Sequence, residues 1–112
     1  MTITIQNVEE AKETIKKNDI VLFMKGTKQM PGCGFSAHVV QILNKLNVNY
    51  IDIDVLNDND FKESMKKFTN WPTFPQLYIK GEFVGGCDIV KEMYENGELK
   101  KILEDKGINF KK

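Results

Sequence analysis

The chain has 112 residues, a length typical of one compact domain, and its 16 basic residues balance its 16 acidic residues. This balance argues against a nucleic-acid-binding or membrane-surface protein, because both need a basic excess. The longest apolar runs, such as Ile20–Met24, are too short to cross a bilayer. The N-terminus alternates from Thr2 to Ile5 and does not resemble a signal peptide. We therefore expect a single domain over residues 1–112.

Only two cysteines are present, Cys33 and Cys87, and they lie far apart in the sequence. Two cysteines do not form a disulfide framework, so the expected compartment is reducing and intracellular. We expect a cytoplasmic protein of a bacterium, while the trimmed form of a protein from an organellar matrix would have the same features. A cysteine kept in such a compartment is either a small buried hydrophobe or a reactive thiol.

The first half of the chain has the pattern helix, strand, helix, strand. Asn7 and Glu10 have the spacing of a capping box before an amphipathic helix. Ile20–Met24 is a continuous apolar run, as in a strand covered on both faces. A loop at 25–32 precedes a second helix, and the alternation at 50–55 predicts a second strand. The apolar residues at helical spacing in the second helix are Val39, Leu43 and Leu46.

A third helix is predicted over 60–68. Asp60 and Glu63 have capping-box spacing at its start, and the acidic run from Asp52 to Asp60 reads as a strand end and a helix cap. Three large apolar side chains recur at helical spacing and therefore share one face of this helix. These residues are Phe61, Met65 and Phe68.

The last part of the chain predicts a hairpin and two short helices. Strands at 76–79 and 82–84 flank Lys80-Gly81, which is typical of a hairpin turn. The two helices are separated near Asn96-Gly97, and residues 109–112 are expected to form a loose tail. The complete order is α-β-α-β-α-β-β-α-α. It predicts an α/β fold of the thioredoxin-like type, with a four-stranded mixed sheet and helices on both faces.

The first candidate site is Cys33-Gly34-Phe35-Ser36, which begins a predicted helix. Unpaired N–H groups and the positive end of the helix dipole favour a thiolate there, and they lower a cysteine pKa. Lys25, at the end of the preceding strand, adds a cation beside the same sulfur. The alternative is a buried cysteine without a role, but the flanking glycines argue for an accessible sulfur.

Ser36 occupies the position where a dithiol oxidoreductase has its second cysteine. A hydroxyl does not take part in thiol–disulfide exchange, so a second sulfur must come from an external thiol. Glutathione is the obvious candidate in a reducing cell. Cys87 could instead be a second resolving thiol that forms an intramolecular disulfide with Cys33. A cysteine at such a site is more often a small buried residue.

Two further segments carry candidate binding groups. A cis bond before Pro75, in Trp71–Pro75, would leave the backbone N–H and C=O of Phe74 unpaired for a ligand, whereas a plain loop proline is the alternative. In Gly85–Asp88, the N–H groups of Cys87 and Asp88 begin a helix and could bind a carboxylate. The alternative here is a glycine turn in which Asp88 caps the helix.

Four segments in order resemble the CGFS-type monothiol glutaredoxins over nearly the whole chain. They are Lys25-Gly26-Thr27, Pro31–Ser36, Trp71–Pro75 and Gly85–Ile89. The resemblance implies that the protein binds glutathione, with Lys25 at the glycyl carboxylate and the Phe74 backbone paired with the cysteinyl residue. The backbone amides of Cys87 and Asp88 would hold the γ-glutamyl end, and Cys33 would face the glutathione sulfur or iron.

One position departs from the family pattern. Members often have an arginine on the third helix that holds the glycyl carboxylate, and this sequence has Lys62 there. Lysine keeps the charge but loses the bidentate geometry, so the resemblance implies that glutathione binds somewhat more weakly.

The resemblance also implies a [2Fe–2S] cluster. Such a cluster takes four ligands, and the chain offers one accessible thiolate, Cys33, as its metal ligand. Two chains and two glutathiones would complete the set, so the cluster would bridge a homodimer. The family further implies transfer of the cluster to apo iron–sulfur proteins and association with a BolA-like protein. His38 could be a ligand in such a complex, but a solvated helix face is its ordinary role.

Three functions remain from the sequence. The first is a carrier for iron–sulfur cluster transfer or assembly, with at most a weak enzymatic activity. The second is a glutathione-dependent oxidoreductase that removes glutathione from protein mixed disulfides through Cys33 alone. The third is a redox-inert binding module, which the accessible Cys33 argues against.

Overall fold

The structure is a computed structural model that describes Ile5 and residues 7–111. The predicted alternation at the N-terminus falls largely outside the described residues. Within them the predicted order of helices and strands is confirmed. The elements are α1 (Val8–Lys17), β1 (Ile20–Met24), α2 (Gly34–Lys45), β2 (Ile51–Asp54), α3 (Asn59–Thr69), β3 (Gln76–Ile79), β4 (Glu82–Gly85), α4 (Cys87–Asn96) and α5 (Glu98–Asp105).

The four strands form one mixed sheet in the order β2-β1-β3-β4. β1 runs parallel to β2, with Val21 opposite Ile51, because α2 connects them as a crossover. β3 runs antiparallel to both β1 and β4. The β3–β4 turn has φ angles of 50° at Lys80 and 82° at Gly81, as the predicted hairpin requires. The predicted four-stranded mixed sheet is thus confirmed.

Alternate residues of β1 face two separate hydrophobic clusters. All five residues of this strand are buried. Full burial of each large apolar side chain stabilises the fold by about 1.5–3 kcal/mol. Helices α2, α4 and α5 cover one face of the sheet, and α1 and α3 cover the other. On the first face lie Ile20, Leu22 and Met24, and on the second lie Val21 and Phe23.

The first predicted helix cap is confirmed and the second is wrong. Asn7 accepts a hydrogen bond from the backbone N–H of Glu10 at 2.9 Å. At α3 the cap is Asp58, whose Oδ1 accepts from the N–H of Phe61 at 3.1 Å. The helix begins one residue earlier than the sequence predicts, so Asp60 lies inside its first turn and not at the cap.

Phe68, at the end of α3, is 40% exposed, and the Lys12 ammonium of α1 lies 5.4 Å from its ring centre. The predicted loose tail is docked: Phe110 packs against the core, and the Lys111 N–H donates to the Leu46 carbonyl at 2.7 Å. Among the described residues, no helix combines the length and apolar character needed to cross a membrane.

Candidate functional site

Cys33 is held at the N-terminus of α2 by the loop that follows β1. Its extended backbone (φ −156°, ψ 161°) makes it the N-cap residue of that helix. Its Sγ accepts a hydrogen bond from the Ser36 N–H at 3.4 Å, which is the bond that a serine or aspartate cap would accept. The thiol therefore lies where the helix dipole favours negative charge.

Ser36 connects Cys33 to the end of β1. Its side chain is completely buried, and its Oγ lies 3.4 Å from the Cys33 Sγ. The same oxygen accepts a hydrogen bond from the Lys25 N–H at 3.1 Å. The Lys25 N–H uses a lone pair of this oxygen and not its hydrogen. The Ser36 hydroxyl hydrogen therefore remains free to donate to the sulfur when Cys33 is a thiolate.

The electrostatic surroundings of Cys33 favour its thiolate. Partial burial raises the pKa of Cys33, but hydrogen bonds from the Ser36 hydroxyl, the Ser36 N–H and the Phe35 N–H lower it, as does the positive charge of Lys25. The lowering effects outweigh burial, so the pKa lies below the ordinary thiol value. A partly exposed cysteine in such surroundings is a nucleophile and a metal ligand.

Beside Cys33 lies a groove of about 530 Å³. It brings together four of the residues predicted to bind a ligand, whereas the predicted Cys33 and Lys62 are not among its lining residues. Lys62 is half-buried on α3. The lining consists of Lys25, Phe35, Trp71, Thr73, Phe74, Gly86, Cys87, Asp88 and Ile89.

One wall of the groove is the segment before β3. The Phe74–Pro75 peptide bond is cis, so the alternative of a plain loop proline is wrong. Phe74 itself is 4% exposed. Within the described part of the chain, neither its backbone N–H nor its C=O has a hydrogen-bond partner. This backbone is therefore free to pair with an extended ligand, as an edge strand does.

The other wall is the start of α4. Its N-cap is Gly86, which supplies no side-chain hydrogen bond, so the alternative in which Asp88 caps the helix is wrong. A Cβ at Gly86 would lie 3.0 Å from Trp71 Nε1 and 3.4 Å from the Pro75 carbonyl oxygen, so the two walls approach each other closely at this glycine. The first N–H groups of α4 are left for an anion in the groove.

Cys87 differs from Cys33 in its electrostatics. Both cysteines are free thiols. Burial raises the pKa of Cys87, and the charges of Asp88 and Cys33 raise it further against a smaller opposite effect of Lys91. Cys87 is therefore a protonated, weakly nucleophilic thiol at neutral pH, in keeping with a small apolar side chain.

The loop that carries Cys33 is tied to β2 by two aspartates whose role the sequence analysis missed. Asp54 Oδ1 accepts from the N–H of Gly26 at 3.0 Å, and Asp52 Oδ2 accepts from the N–H of Lys28 at 2.9 Å. Asp52 is fully buried. The available signal was their spacing of two in a strand, which puts both side chains on one face.

A metal site made by one chain is absent from the described ranges: no three histidine, cysteine or acidic side chains there form a cluster. The His38 side chain is half-buried on α2.

Comparisons with known proteins show the family of this chain. Residues 20–84 match the glutaredoxin family. The chain is 64% identical over 100 residues to the probable monothiol glutaredoxin 2 of Rickettsia typhi, which covers 89% of this chain and 90% of that protein. The chain belongs to the glutaredoxin family. Its Cys33-Gly34-Phe35-Ser36 segment makes it a glutaredoxin of the CGFS-type monothiol branch.

Solved structures of glutaredoxins have the same fold. A monomeric truncated mutant of the Trypanosoma brucei protein 1-C-Grx1 is 42% identical, with a TM-score of 0.88 over 96% of this chain and 98% of that one. A buckwheat glutaredoxin–glutathione complex is 26% identical, with a TM-score of 0.77 over 89% of each chain. The thioredoxin-like fold predicted for this glutaredoxin is thus confirmed.

Proposed function

We propose that this glutaredoxin binds glutathione in the groove beside Cys33 and shares a [2Fe–2S] cluster between two copies of the chain. It acts as a cytoplasmic carrier in iron–sulfur cluster transfer or assembly and in redox homeostasis. The observation that carries the proposal is a partly exposed Cys33 thiol with a lowered pKa and a hydroxyl, not a second thiol, at Ser36.

The groove suits a small peptide with a carboxylate at each end, and glutathione is such a peptide. The Lys25 ammonium supplies a positive charge at one side, and the first turn of α4 at Cys87 and Asp88 supplies free N–H groups at another. Between them, the unpaired backbone of Phe74 matches the peptide backbone of the ligand. The buckwheat glutaredoxin with bound glutathione supports this assignment.

The ligands available at the site fit a cluster that two chains share, and not one that a single chain encloses. Cys33 is the thiolate that would hold iron, and no three histidine, cysteine or acidic side chains of the described residues cluster to enclose a metal within one chain. Two Cys33 thiolates and two glutathione sulfurs would complete the four ligands of a [2Fe–2S] cluster. The cluster would then be cargo, released when glutathione leaves.

Large apolar side chains near Cys33 support contact with other proteins. Phe35, in the groove lining, is 64% exposed, and Met30, in the loop before Cys33, is 79% exposed. Exposed apolar groups beside a functional site are typical of interaction surfaces. We assign this surface to a second copy of the chain, to a BolA-like protein and to apo iron–sulfur proteins.

The second candidate function is removal of glutathione from protein mixed disulfides. The Cys33 thiolate would attack the glutathione sulfur, releasing the protein thiolate, which takes up a proton, and forming a Cys33–glutathione disulfide. A second glutathione thiolate would then attack that disulfide, giving oxidised glutathione and restoring Cys33. The lowered pKa of Cys33 favours this reaction as well as iron binding.

A titration with glutathione, followed through backbone amide signals, tests the shared first step. We expect saturable changes at Phe74, Cys87 and Asp88, and several-fold weaker binding in Lys25→Met because a charge-assisted contact is lost. Lys62→Met should have a smaller effect, since Lys62 does not line the groove, and Lys45→Met, on the exposed end of α2, should have none. Signals that do not respond at these residues would contradict the proposal.

A turnover assay separates the two functions. With a glutathionylated peptide and excess glutathione, a carrier should regenerate free peptide slowly, and an oxidoreductase should turn over many times. Rapid turnover by wild type that is lost in Cys33→Ser, without cluster binding, would favour the second function.

A further inference from the structure

Gln76 is a buried polar residue at the start of β3, next to the groove but not in its lining. Its side chain has no exposed surface. Its Nε2 donates to the backbone carbonyl oxygen of Trp71 at 3.2 Å and to that of Thr73 at 3.1 Å. Both acceptors belong to the segment that forms one wall of the groove. The two hydrogens of one amide group thus fix two peptide units of that wall.

The hydrogen bond to Thr73 also sets the direction of the next N–H group. The C=O and N–H of a trans peptide point in opposite directions. The Thr73–Phe74 peptide is trans, since the cis bond in this segment is Phe74–Pro75. Because Gln76 holds the Thr73 carbonyl toward the interior, the Phe74 N–H points away from Gln76. It lacks a partner among the described residues, and Phe74 lines the groove.

The second hydrogen bond of Gln76 has a different role. The peptide that follows the Trp71 carbonyl ends in the nitrogen of Pro72, which carries no hydrogen. The hydrogen bond from Gln76 to this carbonyl therefore orients no N–H donor. It does fix the backbone of Trp71, whose Nε1 lies against Gly86 on the opposite wall. Gln76 thus orients the Phe74 N–H in one wall and also helps to fix the spacing between the two walls.

The orientation of the Gln76 amide is determined by its neighbours. Its Oε1 is buried and has no partner within the described residues. In the reverse orientation this oxygen would face the Trp71 and Thr73 carbonyl oxygens, and two acceptors would repel each other. A glutamate carboxylate at this position would place a negative charge against the same two carbonyl oxygens, which would repel it. Glutamine is therefore suited to this position and glutamate is not.

We propose that Gln76 is a positioning residue for ligand recognition: it orients the Thr73–Phe74 peptide so that the Phe74 N–H donates to the backbone carbonyl of a peptide-like thiol in the groove. The proposal rests on the proposed function, because it names the residue that prepares the groove for the glutathione backbone. It assigns Gln76 no part in activating Cys33, whose contacts come from other residues, namely Ser36, Phe35 and Lys25.

A comparison of two disulfides in Gln76→Met tests the proposal. The Cys33 thiolate attacks either oxidised glutathione or hydroxyethyl disulfide, forms a mixed disulfide and releases one thiolate. Only oxidised glutathione offers a peptide backbone. We expect the rate constant for oxidised glutathione to fall about tenfold in Gln76→Met, the effect of one lost hydrogen bond of about 1.4 kcal/mol. The rate constant for hydroxyethyl disulfide and its pH profile should not change.

The outcomes distinguish this proposal from the proposed function. If wild type shows no preference for oxidised glutathione, the groove does not recognise a peptide backbone, and both proposals are overturned. If wild type shows the preference and Gln76→Met keeps it, only the role of Gln76 is overturned. Equal losses with both disulfides would indicate general damage to the fold and would also overturn it. Gln76→Glu should lose the preference at least as strongly.

A second measurement needs no variant. S-methylglutathione has the peptide backbone but no free thiol, so it can bind without reacting at Cys33. We expect it to slow hydrogen exchange of the Phe74 N–H several-fold at saturation. Saturating binding without protection of this N–H would overturn the proposal even where a Gln76 variant does not fold.

Discussion

The backbone N–H of Lys25 donates a hydrogen bond to the hydroxyl oxygen of Ser36 at a distance of 3.1 Å. That hydroxyl is 3.4 Å from the sulfur of Cys33 and is completely buried. Ser36 is therefore more than a position where a second thiol is missing. It links the end of β1 to the thiol and supplies the largest of the contacts that lower the pKa of Cys33 against the effect of burial.

Replacing Ser36 by alanine should reduce the reactivity of Cys33. Without the hydroxyl, burial of Cys33 is opposed by fewer hydrogen bonds, so its pKa should rise. We expect alkylation of Cys33 by iodoacetamide at neutral pH to slow several-fold, and the thiolate absorbance to develop at higher pH. Ser64→Ala, on the exposed surface of α3, is the matched control and should behave as wild type. An unchanged pH profile in Ser36→Ala would contradict this role.

The titration of Cys33 should also affect stability. Its pKa is lower in the folded chain than in the unfolded chain, so the unfolded state binds more protons between the two values and stability rises with pH there. The contribution is fully present above the ordinary thiol pKa of about 8.5 and is lost as pH falls through the folded pKa. Urea unfolding in mildly acidic and mildly alkaline buffer measures it.

Cys33→Ser is the reference for this measurement. From the acidic to the alkaline buffer, the free energy of unfolding should increase more for wild type than for Cys33→Ser. Cys87, whose raised pKa has the opposite effect, is present in both proteins. Parallel pH dependence in the two proteins would show that the folded chain does not favour the Cys33 thiolate.

Gly26 should tolerate alanine much less well than Gly81. Both have positive φ, +87° and +82°, so alanine at either position costs about 1–2 kcal/mol of backbone strain. A Cβ at Gly26 would also lie 2.4 Å from the Gly32 nitrogen, whereas a Cβ at Gly81 meets open space. Thermal unfolding should show a larger loss in Gly26→Ala, together with weaker glutathione binding. Equal losses would mean that the loop adapts to the added carbon.

Removal of the Asp54 side chain should loosen the loop before Cys33. Asp54 Oδ1 accepts hydrogen bonds from the N–H groups of Gly26 at 3.0 Å and Leu56 at 2.8 Å. We expect Asp54→Ala to lose about 1–3 kcal/mol of stability, since a charged acceptor of two backbone donors is lost. Asp105→Ala, near the exposed end of α5, should change stability by no more than about 0.5 kcal/mol. Faster hydrogen exchange at Gly26 should accompany the loss.

Local sequence patterns predicted the elements but not the contacts between them. The continuous apolar run of Ile20–Met24 and the Lys80-Gly81 turn are decided by neighbours in sequence, and both are found. Phe61, Met65 and Phe68 share one face of α3, but Phe61 and Met65 are buried whereas Phe68 is 40% exposed beside the Lys12 ammonium of α1. Helical spacing alone does not contain that information.

The same limit applies to the site. The thiol at a helix N-terminus follows from local order, because a loop and two glycines frame Cys33 in the sequence. The residues that support the loop and the groove do not follow from local order. Asp52 forms a hydrogen bond with a residue 24 positions away, so no local pattern predicts the pairing. Gln76 reads as an ordinary strand residue until the fold shows which carbonyls lie against it.

The proposed [2Fe–2S] cluster is held by Cys33 from two chains and by two glutathiones. Its most direct test is visible absorption with size-exclusion chromatography after anaerobic reconstitution with iron, sulfide and glutathione. Wild type and Cys87→Ser, which keeps the backbone of the groove, should give a red-brown dimer that bleaches to a monomer when glutathione is removed. Cys33→Ser should stay a colourless monomer. A coloured Cys33→Ser protein, or a colourless wild type whose Cys33 still forms a mixed disulfide with glutathione, would contradict a cluster held in this way.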